Sequence, residues 1–171
     1  ESGAKVAHNP MSNMLNAVGV APIVKMLREG IPVGLGNDGY TFDGFENIRA
    51  AYLLHKMYHR DPRVITPEAV LEMATLKGAE LYGLEKELGS LEPGKKADLI
   101  IISPKRSPTP VVSESVYGHL VNTVSGCDVE TVIADGKVLM EERQVKTVDE
   151  EKIVETAQSA AKVLWEKLGA L

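Results

Sequence analysis

The 171 residues suffice to bury a real core, because a chain of about 150 residues already hides roughly 70% of its unfolded surface. Apolar residues at 44% and charged residues at 25% exclude a disordered composition. Nineteen basic against 24 acidic side chains give a net charge of −5, which lacks the basic footprint that phosphate neutralisation needs, so no nucleic-acid partner is expected.

No apolar run approaches the roughly 20 residues of a membrane helix, so no membrane partner is expected. The lone cysteine, Cys127, leaves no internal disulfide and no cysteine-rich zinc site, and is expected to be a small buried or half-buried side chain. Glu1 to Ala4 carry neither the basic nor the apolar stretch of a leader, so the protein is expected to be cytoplasmic.

Along the chain, Lys5–His8 reads as a short strand running into a Pro-containing loop, His8 to Met14. Val20–Glu29 reads as a helix with Pro22 in its first turn, Ile23, Val24 and Leu27 on one face, and Gly30 as its stop. Pro32–Gly36 is a second buried strand closed by Asn37-Asp38-Gly39, and strand, helix and strand together make a parallel β-α-β unit. Glu46–His59 is helical, with Ile48, Ala51, Tyr52 and Leu54–His55 at helical spacing. Thr66 caps a further helix with Pro67 at its first position, and this helix runs through Leu81 to an αL stop at Gly83. From about residue 85 the character changes. A turn-rich stretch leads into the strand Ala97–Ile102, a Pro/Ser loop spans Ser103–Pro110, and Val129–Ala134 and Lys137–Met140 flank the hairpin pair Asp135-Gly136. From about Asp149 an amphipathic helix presents Ile153, Ala157, Ala160, Ala161, Leu164 and Leu168 in one stripe. The organisation is an α/β segment over 1–84, a mixed β segment over 85–148 and a closing helix over 149–171.

Asp38 is the strongest candidate for chemistry. It follows the C-terminal end of a parallel strand, the edge where α/β and barrel folds build their sites, and Gly34, Gly36 and Gly39 leave its carboxylate unscreened. A carboxylate there can ligate a divalent metal and take a proton from water that the metal activates. It can equally cap a turn or the next helix, which Asp commonly does. The same glycines match the G-x-G-x-x-G pattern of dinucleotide binding, but Tyr40 to Gly44 intervene before the next helix, so no helix N-terminus is ready for a pyrophosphate. His55 and His59 have the four-residue spacing of a metal pair, yet Lys56 stands where the zinc-protease motif requires Glu, and both read as partly exposed surface histidines. In His8-Asn9-Pro10 with Ser12-Asn13, the Asn and Ser side chains hold a turn, or His8 shares the strand-end edge with Asp38. His119 has no assigned role.

Three stretches carry a resemblance: Val6-Ala7-His8-Asn9-Pro10-Met11-Ser12-Asn13-Met14, Gly34-Leu35-Gly36-Asn37-Asp38-Gly39, and the run Gly89–Ile100 around Leu91-Glu92-Pro93-Gly94-Lys95-Lys96-Ala97-Asp98. With Val132–Val138 they make the chain resemble the C-terminal portion of an amidohydrolase-superfamily enzyme. The branch is that of the aminohydrolases and chlorohydrolases, which holds cytosine, guanine and S-adenosylhomocysteine deaminases. Within it, the second stretch is of the G-N-D-G rather than the commoner G-T-D-G type.

The resemblance implies an α/β fold that is the C-terminal fragment of a (β/α)8 metal-dependent hydrolase barrel, namely strands 7 and 8 with their following helices, plus part of a small β-sandwich and a C-terminal helix. It makes Asp38 a metal ligand and proton shuttle, and gives His8, Asn13 and Tyr40 places on the substrate side, with Thr41 and Asp43 as further contributors. The implied cofactor is a divalent metal, Zn or Fe, and the implied partner a small heterocyclic substrate that loses ammonia or chloride by hydrolysis. The family's His-x-His and its two single histidines have no counterpart here. The fragment alone is therefore expected to be inactive, since a zinc site takes three or more protein ligands. Two alternatives remain at this level: a non-catalytic interaction domain that self-associates into a homo-oligomer, and a nucleotide-binding α/β module.

Overall fold

The computed structural model describes residues 3–39, 42–104 and 107–169. Strands β1 (Val6–His8) and β2 (Val33–Leu35) are parallel, pairing Val6 with Val33, Ala7 with Gly34 and His8 with Leu35. Their C-terminal ends therefore open on the same side.

The stretch expected as loop after β1 is instead a short helix, α1 (Pro10–Leu15). Its Asn and Ser residues are turn formers, but Pro10 sits in the first turn, where its missing N–H removes no helical bond. The crossover helix α2 (Ile23–Arg28) starts after Pro22, which stands at the cap rather than inside the first turn. Ile23 and Val24 are buried, as their shared face requires.

Helix α3 (Gly44–His59) begins at Asp43, whose Oδ1 accepts from the Phe45 backbone N–H at 2.9 Å, with Glu46 in the positive first turn. Thr66 caps α4 (Pro67–Ala74) as expected, its Oγ1 accepting from the Ala69 N–H at 3.2 Å. The single helix expected from Thr66 through Leu81 is broken at Thr75. There the backbone leaves helical geometry, and the Thr75 hydroxyl donates to the Leu71 carbonyl at 2.7 Å, the back-bonding that bends helices. The chain resumes as α5 (Leu76–Tyr82), and Gly83 ends it with φ 71°.

The second half forms a four-stranded antiparallel sheet in chain order: β3 (Leu99–Ile102), β4 (Val129–Ala134), β5 (Lys137–Glu141) and β6 (Gln144–Val145). The β4–β5 turn has positive φ at both Asp135 (49°) and Gly136 (75°), the requirement of a type I′ hairpin. Between β3 and β4 lies a helix the sequence pattern did not suggest, α6 (Val116–Asn122), followed by a 3₁₀ turn at Gly126–Asp128. Val121 and Val124 place this segment in the same core as Ile23, Val33, Phe45, Ile48, Ala51, Val70 and Met73, and Val129 carries that core to the edge of the sheet. Burying side chains of this kind is worth about 1.5–3 kcal/mol each.

The last helix, α7 (Glu150–Lys167), is capped by Asp149, whose Oδ1 accepts from the Lys152 N–H. None of its side chains is buried; Ile153, Leu164 and Trp165 stand about half exposed. No helix among the described residues is long and apolar enough to cross a membrane. Cys127, expected buried or half-buried, is exposed.

Candidate active site

The parallel pairing of β1 and β2 brings three segments to one end. The Gly36 N–H donates to the His8 carbonyl at 2.9 Å, so the two strand ends remain tied where they open into α1 and the 36–39 loop. Gly36 lies close against Asn9: a Cβ there would lie 2.1 Å from Asn9 Oδ1. Gly34 is likewise covered, since a Cβ would meet Leu81 Cδ1 at 2.8 Å and the Gly78 backbone at 3.1 Å. Two glycines of the G-x-G-x-x-G match, Gly34 and Gly36, thus serve close contacts within the protein, and the next helix starts only at Gly44.

Asp38 is exposed just beyond β2, with its backbone in the left-handed region at φ 57°. The hydroxyl of Ser12, a buried residue of α1, donates to Asp38 Oδ2 at 2.6 Å. Asn16, one turn later, donates from Nδ2 to the Ser12 carbonyl at 3.0 Å. On the other side, Asn47 of α3 donates from Nδ2 to Asn37 Oδ1 at 2.7 Å. Both Ser12 and Asn47 are buried, at 3% exposure each. The loop that presents Asp38 is therefore gripped from two helices.

His8 lies at the end of β1, as expected, but its ring is buried at 2% exposure rather than open to a pocket mouth. Its Nε2 is 3.1 Å from Nε2 of His55, which is itself 1% exposed and not the surface histidine its spacing suggested. One ring donates and the other accepts. Burial, reinforced by His55, pushes His8 down to about 4; burial first, then His59, lowers His55 as well. Both are neutral near pH 7. His59 remains exposed and apart from this pair.

Asn13 is half-buried in α1, its backbone N–H donating to the Asn9 carbonyl. Asp43 is occupied structurally, since besides capping α3 its Oδ2 accepts from the Gly126 N–H at 2.8 Å. Tyr40 and Thr41 lie outside the described residues.

Asp38 fits the place of one ligand of a divalent ion: it offers a hard, exposed oxygen, and Ser12 engages Oδ2. Among the described residues, no three His, Cys, Asp or Glu side chains are grouped to hold an ion. They provide one ligand's place rather than a closed site, which takes about three or four.

Sequence reasoning picked out Asp38 and named Ser12 only as a turn former. It missed Asn47. The signal was available, because Asn47, Ala51 and His55 recur every four residues on the buried face of α3, and a polar side chain on such a face needs a partner.

The chain is similar in sequence and fold to known deaminases and hydrolases. The chain is 46% identical over 169 residues to the 5′-deoxyadenosine deaminase of Methanosarcina acetivorans, covering 96% of this chain and 38% of that protein. It is 44% identical over 171 residues to the 5-methylthioadenosine/S-adenosylhomocysteine deaminase of Dictyoglomus thermophilum, covering 98% and 40%. Among solved structures, a zinc-bound adenosine deaminase from Xanthomonas campestris superposes with a TM-score of 0.82 at 27% identity, over 91% of this chain and 36% of that one. An atrazine chlorohydrolase from Arthrobacter aurescens complexed with zinc gives 0.77 at 27% identity, over 92% and 36%. The chain thus spans about two fifths of the length of the curated relatives it matches. With residues 1–139 matching the family as a whole, the chain belongs to the amidohydrolase family.

Proposed function

We propose that these residues form the C-terminal part of a metal-dependent aminohydrolase, with β1 and β2 as the seventh and eighth strands of its barrel. The segment 85–148 then contributes to a small β-sandwich, and 149–171 is the closing helix. The observation that carries the reading is the exposed Asp38 carboxylate, held by Ser12 at the common C-terminal end of two parallel strands. Family membership and the deaminase relatives support it.

The reaction is hydrolytic deamination of a heterocyclic amine, and the names of the relatives favour an adenosine derivative. Water adds to the carbon bearing the amino group and ammonia departs. Asp38 would supply one oxygen to the ion and accept a proton from the attacking water, returning it to the departing nitrogen. A zinc or iron ion, when bound, supplies Lewis acidity and makes water acidic enough to ionise near neutral pH. Asn13 and Tyr40 belong to the substrate side. His8, being buried, contributes by holding the end of β1 against α3.

The test is ammonia release from 5′-deoxyadenosine by the zinc-loaded full-length protein that carries this chain. Asp38→Asn is expected to lower kcat by about 10²–10⁴-fold, the contribution of a positioned acid–base group. Unchanged turnover would overturn the assignment. The 171 residues alone, supplemented with zinc, are expected to show no turnover.

A second reading, self-association without catalysis, is favoured by α7, whose apolar side chains are exposed. Light scattering separates the two: a stable homo-oligomer of the 171 residues supports this reading, and a monomer removes it.

A further inference from the structure

Asp38 is one of six non-glycine residues with positive φ among the described residues. The left-handed conformation costs an L-residue roughly 1–2 kcal/mol and persists where the surroundings over-determine it. Two buried side chains do so here. Ser12 reaches the carboxylate itself from α1, and Asn47 reaches the preceding side chain, Asn37, from α3.

The chemistry of the two contacts differs. A hydroxyl carries a single proton, and a hydrogen bond to an ionised carboxylate is about twice as strong as one between neutral groups. Ser12 therefore restrains the rotation of the Asp38 side chain through Oδ2. Asn47 acts on the loop through the Asn37 side chain. It spends its amide N–H on Asn37 while its own Oδ1 is buried without a partner among the described residues, an arrangement kept at some cost.

We propose that Ser12 and Asn47 are positioning residues that preset Asp38 as a ligand, Ser12 by orienting its carboxylate and Asn47 by fixing the loop that carries it. This rests on the reading of Asp38 given above. Groups of this kind, one bond removed from the ion, typically change metal affinity or activity by about 10–100-fold.

The experiment is competition for zinc between a chromophoric chelator and the full-length protein carrying this chain, with the thermal midpoint of each variant recorded alongside. Ser12→Ala and Asn47→Ala are each expected to weaken zinc binding by at least about tenfold, and Ser12→Thr, which keeps the hydroxyl, to stay within about threefold of the parent. In steady state the loss is expected in kcat, with KM little changed. If Ser12→Ala fails to fold, Ser12→Cys serves in its place, because it keeps the shape and weakens the donor. Asp38→Ala separates the two claims. Zinc lost in Asp38→Ala but retained in Ser12→Ala, Ser12→Cys and Asn47→Ala would overturn the positioning role alone. Zinc retained in Asp38→Ala would overturn the ligand reading, and the positioning role with it.

Discussion

His8 and His55 meet Nε2 to Nε2 at 3.1 Å inside the joint between β1 and α3, both almost wholly shielded from water. The contact anchors the end of the strand whose successor helix carries Ser12.

That pair makes stability depend on pH in a defined window. Both folded-state values lie below the ordinary histidine value of 6.5, so between that value and the folded one the unfolded chain binds more protons than the folded chain. Their contribution is complete above about pH 6.5 and is lost as pH falls toward 4. The lowering of His8 to about 4 corresponds to about 3 kcal/mol at most. Urea midpoints are expected to drop between about pH 7.5 and about pH 5, before Asp61, held to about 2 by Arg63, begins to titrate. A His8→Leu, His55→Leu double variant is expected to flatten that slope, and a parent protein that is already flat there would contradict it.

Gly36→Ala is expected to cost about 1–3 kcal/mol, because its Cβ would meet Asn9 Oδ1 at 2.1 Å. The clash is with the end of a side chain, so adding Asn9→Gly is expected to return most of the loss. Gly34→Ala differs. Its Cβ would also press on the Gly78 backbone, so adding Leu81→Ala is expected to give little relief. Thermal unfolding of the four variants distinguishes the two situations.

In the core, Ile23 and Met73 are 0% and 1% exposed. Truncating either to Ala is expected to cost about 2–5 kcal/mol, read from urea unfolding. Leu164→Glu on α7 is expected to shift the same midpoint by no more than about 0.5 kcal/mol, because that helix buries nothing.

Much of the fold was legible where punctuation and periodicity agree. Pro32 to Gly36 bound a short apolar strand, Thr66-Pro67 opens a helix, and Asp135-Gly136 demands a tight hairpin; each is found. The failures have local causes. Asn9, Ser12 and Asn13 are turn formers by propensity and concealed α1, although Pro10 was a signal of its first turn. Val116, Gly118 and Val121 are poor helix formers, so α6 owes its helicity to the burial of Val121 and Val124, which no local pattern announces. At the candidate site, Asp38 was marked by its strand end and flanking glycines. Its partners were not, because Ser12 and Asn47 reach it only through the pairing of β1 with β2 and the packing of α3.

The most direct test is anomalous scattering at the zinc edge from crystals of the zinc-loaded full-length protein that carries this chain. The account predicts a peak about 2.0–2.2 Å from an Asp38 carboxylate oxygen, with Ser12 still bonded to the other. An ion bound with Asp38 outside its coordination shell would contradict it.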